Sequence, residues 1–399
     1  MSAPLVKLKY LADFNPPVPD SVKFSKEKFP IYPMDKIISF GVLNKDVEFR
    51  NASELTTGYT YLEPTDVAYA KVTPCFENGK GILGSSLDGP SFATTELTVL
   101  RPKPGVDQRY LSYLLRTPEF MQPAISSMTG AGGLKRVSEE YVKNLRFPLP
   151  ELNEQVRIAD ELDRELAEID EFIDDQTRLL ELTTEKFNAE LRNLTYPPGV
   201  ETVPLKRFAD ITLGKMITPA DRGGMKLAPY IRAANVQPGG VLTYETDKKE
   251  MWFSSSELSY LELRKDDVLV VEGGAGFGRS AVLEEDLPGW GFQNSINRVR
   301  VRPGLADPHF IDFCIRSQLL FGDLNNLTNQ STIPHLTTEK LEITRIPLLE
   351  ASQQKNISDF ILNSNQLWQS IKIEIDKSIF LLKELKFNMQ ISRFHDLLN

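Results

Sequence analysis

Two stretches of this chain keep a helical rhythm of apolar positions for more than forty residues, without a proline or glycine to break it. In residues 151–195 the positions Ala159, Leu162, Leu166, Ile169, Ile173, Gln176, Leu180, Thr183, Phe187, Glu190 and Leu194 step by 3 and 4 alternately. In residues 350–398 the positions Ile357, Ile361, Ser364, Trp368, Ile371, Ile375, Ser378, Leu382, Leu385, Met389 and Ser392 do the same. Alternating steps of 3 and 4 over more than four heptads predict a coiled-coil seam. About 44 residues at ~1.5 Å each make a rod of roughly 65 Å. The second stretch also carries Phe360, Ile373, Ile379, Phe380 and Phe394 off its seam. Two helices cannot bury all of that surface, so a domain or a partner must cover the rest.

The intervening segments have a different pattern. Short apolar runs such as DVAYAKV (66–72), ELTVLRP (96–102), DVLVVE (267–272) and NRVRVRP (297–303) alternate with Gly and Pro. They predict strands of small α/β or α+β domains with a curved sheet. YLSYLLR (110–116) and FIDFCIR (310–316) predict one short helix in each, apolar side inward. Four segments result: globular 1–147, helical 148–200, globular 201–345 and helical 346–399. TYPPGVE (195–201), with two consecutive prolines, links the halves as a stiff connector.

The halves are copies. VKLKYLADF (6–14) returns as VPLKRFADI (203–211), and VSEEYVKNLRFPLPELNEQVRIADEL (137–162) returns as LTTEKLEITRIPLLEASQQKNISDFI (336–361). The shift stays between 197 and 200 residues, far longer than a solenoid period, so a whole unit is duplicated. Pseudo-twofold internal symmetry and two similar binding surfaces are expected.

Charge sharpens this picture. The net charge of −9 argues against strong sequence-independent DNA binding by the chain alone. Residues 148–200 hold 5 Lys+Arg against 14 Asp+Glu, so the acidity sits in one helical arm. Each globular segment is near neutral and can present a basic face. No run of eighteen apolar residues predicts a membrane span, and MSAPLVKLKY lacks an apolar core of signal-peptide length. Cys75 and Cys314 suggest no disulfide framework, and a cytoplasmic setting is expected.

Enzyme motifs are weak. Glu272, Gly274, Gly276 and Gly278 satisfy the acidic-x-G-x-G-x-G pattern of S-adenosylmethionine loops. That loop must open directly into a helix, and Pro288 and Gly289 end any helix here early. FNPPVP (14–19) has Val18 where an adenine methyltransferase needs a base-stacking aromatic ring. There is no G-x-x-x-x-G-K-[ST] loop, and His309, His335 and His395 are too scattered for a metal cluster.

One block is specific. Pro148, Leu149, Pro150, Glu154, Gln155, Ile158 and Ala159, in FPLPELNEQVRIADEL, resemble the conserved region of type I restriction-modification specificity subunits. The second copy departs from it at Leu349, Gln353 and Ser358. TDVAYAKVTPCFENGKG (65–81) and VVEGGAGFGRSAV (270–282) are similar to signatures of the same family's recognition domains. The resemblance implies two target recognition domains joined by two long antiparallel helices. Each domain would read one half of an asymmetric, split double-stranded DNA site, with half-sites about one helical turn apart, roughly 34 Å. It further implies two methyltransferase subunits docked on the helices and motor-nuclease restriction subunits joining them. S-adenosylmethionine and ATP would be bound by those partners, and this chain would be non-catalytic. The readings kept beside it are a methyltransferase built on the 272–278 glycines and a coiled-coil interaction protein that binds no DNA.

Base reading uses Arg, Lys, Asn and Gln on loops. The candidates are Asn78, Lys80, Lys135 and Arg136 in the first half. In the second they are Arg232, Asn235, Arg279, Gln293, Asn294, Asn297, Asn329, Gln330 and His335. Arg279 aligns near Lys80, and NQSTIPH (329–335) takes the place of GAGGLKR (130–136).

Overall fold

The computed structural model describes residues 3–131, 133–246, 248–327 and 335–398. It forms two compact units, Met1–Gln176 with Lys377–Asn399, and Thr177–Asp376. The fold is mixed α/β, with two globular parts and two long helices. Both helices contribute residues to both units, so the compact units cut across the four segments read from the sequence.

Each unit is built around one four-stranded antiparallel sheet. In the first, β1 (Ala12–Phe14), β2 (Val67–Ala70), β3 (Gly81–Leu83) and β4 (Leu97–Pro102) lie in the order β1-β4-β2-β3. In the second, β5 (Ala209–Leu213), β6 (Asp267–Val271), β7 (Ser280–Val282) and β8 (Ile296–Val301) lie in the order β5-β8-β6-β7. The order is the same, so the repeat in sequence is a repeat in topology. Every residue of β2 and of β6 is buried, which explains their unbroken apolar runs. A second sheet follows in each unit. There the strand Ser91–Ala93 runs parallel to Lys28–Tyr32, as Gly291–Phe292 does to Lys226–Ile231.

The same ion pair anchors both sheets. Arg101 grips Asp66 with two hydrogen bonds of 2.7 and 2.8 Å, and Arg300 grips Asp267 with two of 2.7 Å. Both carboxylates are essentially inaccessible, and each also accepts the backbone N–H three residues earlier, from Glu63 and Arg264. A buried carboxylate needs this full complement of donors, because desolvation costs several kcal/mol per ion.

The predicted short helices are α1 (Gln108–Leu114) and α3 (Pro308–Leu320), capped by the carboxylates of Asp107 and Asp307. Their apolar residues Tyr110, Leu111 and Leu114, and Phe310, Ile311 and Cys314, are buried as the pattern demanded. The long helices are α2 (Leu152–Thr195) and α4 (Ala351–Leu398). Short two-stranded pairings, Leu5–Lys7 with Arg146–Pro148 and Thr202–Pro204 with Arg345–Pro347, deliver the chain to the start of each.

A buried glutamine fixes that junction. The Gln155 side chain accepts from the Asp107 N–H at 2.9 Å and donates to the carbonyls of Gly105 and Pro150. In the second unit, Gln354 accepts from the Asp307 N–H at 3.0 Å and donates to Leu349 O. Ser358, which stands where the first copy has Ala159, donates to the Asp307 carboxylate at 2.5 Å.

Within each unit the helix segments run antiparallel. In the first, Lys386 binds Asp170, while Phe394, eight residues further on, joins a cluster with Ala159 and Leu162. In the second, Phe187 stacks on Trp368 with centroids 5.2 Å apart, while Leu191 meets Ile361. The predicted seam on α2 faces inward: Ala159, Leu162, Leu166 and Ile169 are buried, and Ile173, Gln176, Leu180, Thr183, Phe187 and Leu194 half-buried. Glu190 is exposed instead, because α2 turns Leu191 onto Phe313 of α3. On α4, Ile361 and Ile375 are buried, whereas the seam positions Ile371, Leu385 and Ser392 are exposed. Of the apolar residues off that seam, Phe394 is covered by the first globular part, with its ring 5.3 Å from Tyr110. Phe360, Ile373 and Phe380 remain 50–62% exposed.

Two substitutions test these anchors. Gln354→Ala leaves the buried Asp307 N–H without its acceptor, and unfolding free energy should fall by about 1–3 kcal/mol. Gln366→Ala, at an exposed position on the same helix, should leave the urea midpoint unchanged. Asp267→Ala strands Arg300 and should cost roughly 3–5 kcal/mol in the same measurement.

Candidate nucleic-acid interface

One edge of each unit gathers loops from four or five places in sequence, and backbone hydrogen bonds hold them in contact. In the second unit the chain leaves β5 at Gly214, which passes so close to Gln293 that a Cβ would lie 2.3 Å from its carbonyl oxygen. Only glycine allows that approach. The Lys215 N–H then donates to Phe292 O, and the Asn294 N–H donates to Lys215 O. The Gln293 N–H donates to Ile231 O, the Glu272 N–H to Ser295 O and the Leu336 N–H to Glu272 O. A bridge between Gly273 and His335 completes the row. These contacts align 215, 293–295, 231–233, 272–273 and 335 along one rim.

The first unit repeats the frame. The Thr94 N–H donates to Tyr32 O, the Lys71 N–H to Glu96 O and the Val137 N–H to Lys71 O, and Val72 bridges Arg136. The Ala70 N–H donates to Lys80 O, as the Val271 N–H donates to Arg279 O. Lys80 and Arg279 therefore occupy equivalent places, each directly after a glycine in the left-handed region, Gly79 (φ 63°) and Gly278 (φ 71°).

The glycine-rich segment 272–279 is the turn of a hairpin. Val268, Leu269 and Val270 pair with Val282, Ala281 and Ser280. A strand, not a helix, follows the glycines, so the geometry of an S-adenosylmethionine loop is absent from this segment. In the first unit the hairpin Thr129–Ala131/Leu134–Arg136 projects from the rim with every described residue exposed. Thr73 pins it, its hydroxyl donating to Gly133 O and accepting from the Lys135 N–H.

The candidate residues separate into three groups. Lys135 is exposed and Arg279 half-exposed, and neither side chain has a partner among the described residues. Gln293 and Asn294 lie on the second rim, half-buried, with side-chain amides that make no hydrogen bond among the described residues. Asn78 is exposed on the 72–80 turn, and His335 is exposed at the end of the second rim. A second group is on the rim but engaged. Arg136 makes a bidentate pair with Glu96 at 2.6 and 2.9 Å, the Lys80 amine donates to Met34 O at 3.2 Å, and Arg232 has a partner within the chain.

The third group corrects the sequence reading. Asn235 is 3% exposed: its side-chain Oδ1 accepts from the Arg232 N–H and its side-chain Nδ2 donates to Thr243 O. Asn297 is fully buried in β8, donating to Leu336 O and accepting from the Thr338 hydroxyl. Both fasten loops to the core and face no solvent. Asn329 and Gln330 lie outside the described residues.

Sequence reasoning did not count Lys71, Glu272 and Ser295 among the base-reading candidates, although all three have backbone groups in the rim hydrogen bonds or next to them. Lys71 and Glu272 are 201 residues apart, within reach of the repeat shift, so aligning the loop ends would have paired them.

Residues 83–179 and 197–379 match the family model described as type I restriction modification DNA specificity domain. The chain belongs to this family. Among curated relatives, the type I restriction enzyme EcoAI specificity subunit of Escherichia coli is 35% identical over 153 residues, 38% of this chain and 26% of the relative. The EcoEI specificity subunit of the same organism is 33% identical over 156 residues, 39% and 26% respectively. The match thus spans about a quarter of the length of either relative. The MjaVIII specificity subunit of Methanocaldococcus jannaschii is 22% identical over 66% of this chain and 64% of its own length. The fold extends over the whole chain. It superposes with a TM-score of 0.73, at 18% identity, on a chain solved for the structural basis of complex assembly and conformational transition of the type I R-M system, covering 98% of this chain and 97% of that one. It superposes on the HsdS subunit from Thermoanaerobacter tengcongensis with a TM-score of 0.60 at 17% identity, covering 98% and 96%. Among the described residues of this specificity-family chain, no helix is long and apolar enough to cross a membrane.

The first and third groups should respond differently to truncation. Asn297→Ala should lower unfolding free energy by about 1–3 kcal/mol, because it leaves the buried Leu336 carbonyl and Thr338 hydroxyl unpaired. Arg279→Ala should stay within ~0.5 kcal/mol of the parent, as expected where no internal partner is lost. Denaturant unfolding of the full chain distinguishes them.

Proposed function

We propose that this chain is the DNA-specificity subunit of a type I restriction-modification system, non-catalytic in itself. The observation that carries the reading is a single backbone frame, present twice, with different side chains at equivalent rim positions. Lys80 corresponds to Arg279, Arg136 to His335 and Thr94 to Gln293. A frame held by main-chain hydrogen bonds lets the side chains diverge without loss of fold. Two non-identical rims suit an asymmetric bipartite target, one half-site per unit. Lys135 and Arg279 supply cations for phosphate or guanine, and Gln293 and Asn294 supply paired donors and acceptors for base edges. Asn78, Lys80, Arg136, Arg232 and His335 flank them.

The helices are proposed to dock two methyltransferase subunits, with restriction subunits joining that complex. The exposed Ile373, Phe380 and Phe387 of α4, and Phe172, Leu179 and Leu182 of α2, support this, since long apolar stripes on a helix surface mark interaction sites. Exposed carboxylates at Glu168, Glu171, Asp174 and Asp175 add an acidic border to α2. S-adenosylmethionine and ATP would belong to the partners. Non-specific affinity should be low, because a chain of net charge −9 draws little from counterion release.

Methylome sequencing of a host expressing this chain with its methyltransferase tests the reading. A split adenine-methylation motif is expected. Substitutions on the 1–147 rim should alter one half of it and leave the other intact, and changes in both halves would refute the assignment of one unit to one half-site. In binding assays on the reconstituted complex, Arg279→Ala should weaken DNA binding and lower the slope of log K against log salt by about 1 if it contacts phosphate.

A further inference from the structure

Glu272 sits in the middle of the second rim, one residue beyond β6. Its backbone is pinned on both sides, the N–H to Ser295 O at 2.9 Å and the carbonyl to the Leu336 N–H at 2.7 Å. Its carboxylate is half-buried and makes no hydrogen bond or ion pair among the described residues. Burial raises its pKa above the ordinary carboxylate value; His335 opposes that shift, and Glu339 adds to it.

Lys71 occupies the same place in the first unit. It is pinned by the same two bonds, to Glu96 O at 2.8 Å and from the Val137 N–H at 2.8 Å. Its amine likewise has no hydrogen-bond partner among the described residues. One backbone position, held identically in the two copies, thus presents opposite charges.

A carboxylate that makes no ion pair is a poor group to bring against a polyanion, since it repels phosphate. It becomes favourable only when it meets a donor. In the major groove the exocyclic amine of cytosine offers one, whereas adenine sets the N7 acceptor beside its amine. We infer that Glu272 is a specificity-determining residue that accepts a hydrogen bond from a cytosine amine in the half-site of the second unit. Lys71, at the equivalent point, donates to guanine O6 or N7 in the other half-site. The inference rests on the specificity-subunit reading. Because the backbone anchors match, exchanging the charge should exchange the preferred base with little change in geometry.

The test uses the full chain reconstituted with its methyltransferase subunits, acting on duplexes randomised across both half-sites. Methylated products are sequenced for the parent, Glu272→Gln and Glu272→Lys, with thermal unfolding as the folding control. The parent should select C at one position of one half-site. Glu272→Gln should lose roughly tenfold discrimination at that position alone, the low end for a single base contact. Glu272→Lys should move the preference there toward G. If both variants fold and keep the parent motif, or change several positions together, the inference is overturned. If the parent itself yields no split motif, the specificity-subunit reading fails, and the inference with it.

Discussion

A buried side-chain amide at the start of each long helix is the contact on which the rest of each unit depends. Gln155 and Gln354 each meet the N–H of the aspartate that caps a short helix and a carbonyl at the head of their own long helix. The amide joins the loop ahead of the short helix to the turn that opens the long one. Its loss would leave buried donors and acceptors unpaired, which costs more than the bond contributes. Around it, the terminal strand pairs Leu5–Lys7/Arg146–Pro148 and Thr202–Pro204/Arg345–Pro347 close each globular part where its helix begins. The junction is thereby rigid, and each rim keeps a fixed relation to the helix segments within its own unit.

The sheets add a second constraint. Asp66 and Asp267 are inaccessible to solvent and fully occupied, by an arginine fork and a backbone N–H each. Such a pair is costly to bury and costlier to break, so it specifies one arrangement more than it adds stability. The rims, by contrast, are held almost entirely by main-chain bonds. Side chains there are free to change, which fits the division between a constant scaffold and two diverged recognition edges.

Legibility in the sequence followed this division. The seam of α2 was readable because periodicity survives averaging over many residues, and it failed only at Glu190, where α3 draws Leu191 inward. The repeat placed Lys80 opposite Arg279 correctly. It could not separate Gln293 and Asn294, on the rim, from Asn235 and Asn297, in the interior. An amide has the same donors and acceptor wherever it lies, and only its neighbours decide whether it serves a base or a carbonyl. The sequence singled out Glu272 only as the acidic residue of a cofactor-loop pattern, and its place on the rim showed once its burial and backbone anchors were seen.

The sequence by itself determined the duplication, the two long helices, the short apolar strands and the family. Each of these is written in local periodicity or in a block of contiguous residues. The tertiary structure alone decided that the compact units cut across the helical arms, that Phe394 completes the first core, and that β6 leads into a hairpin instead of a cofactor loop. It also decided which polar side chains face outward. Those outcomes depend on contacts between residues tens to hundreds of positions apart, whose energies no local pattern encodes.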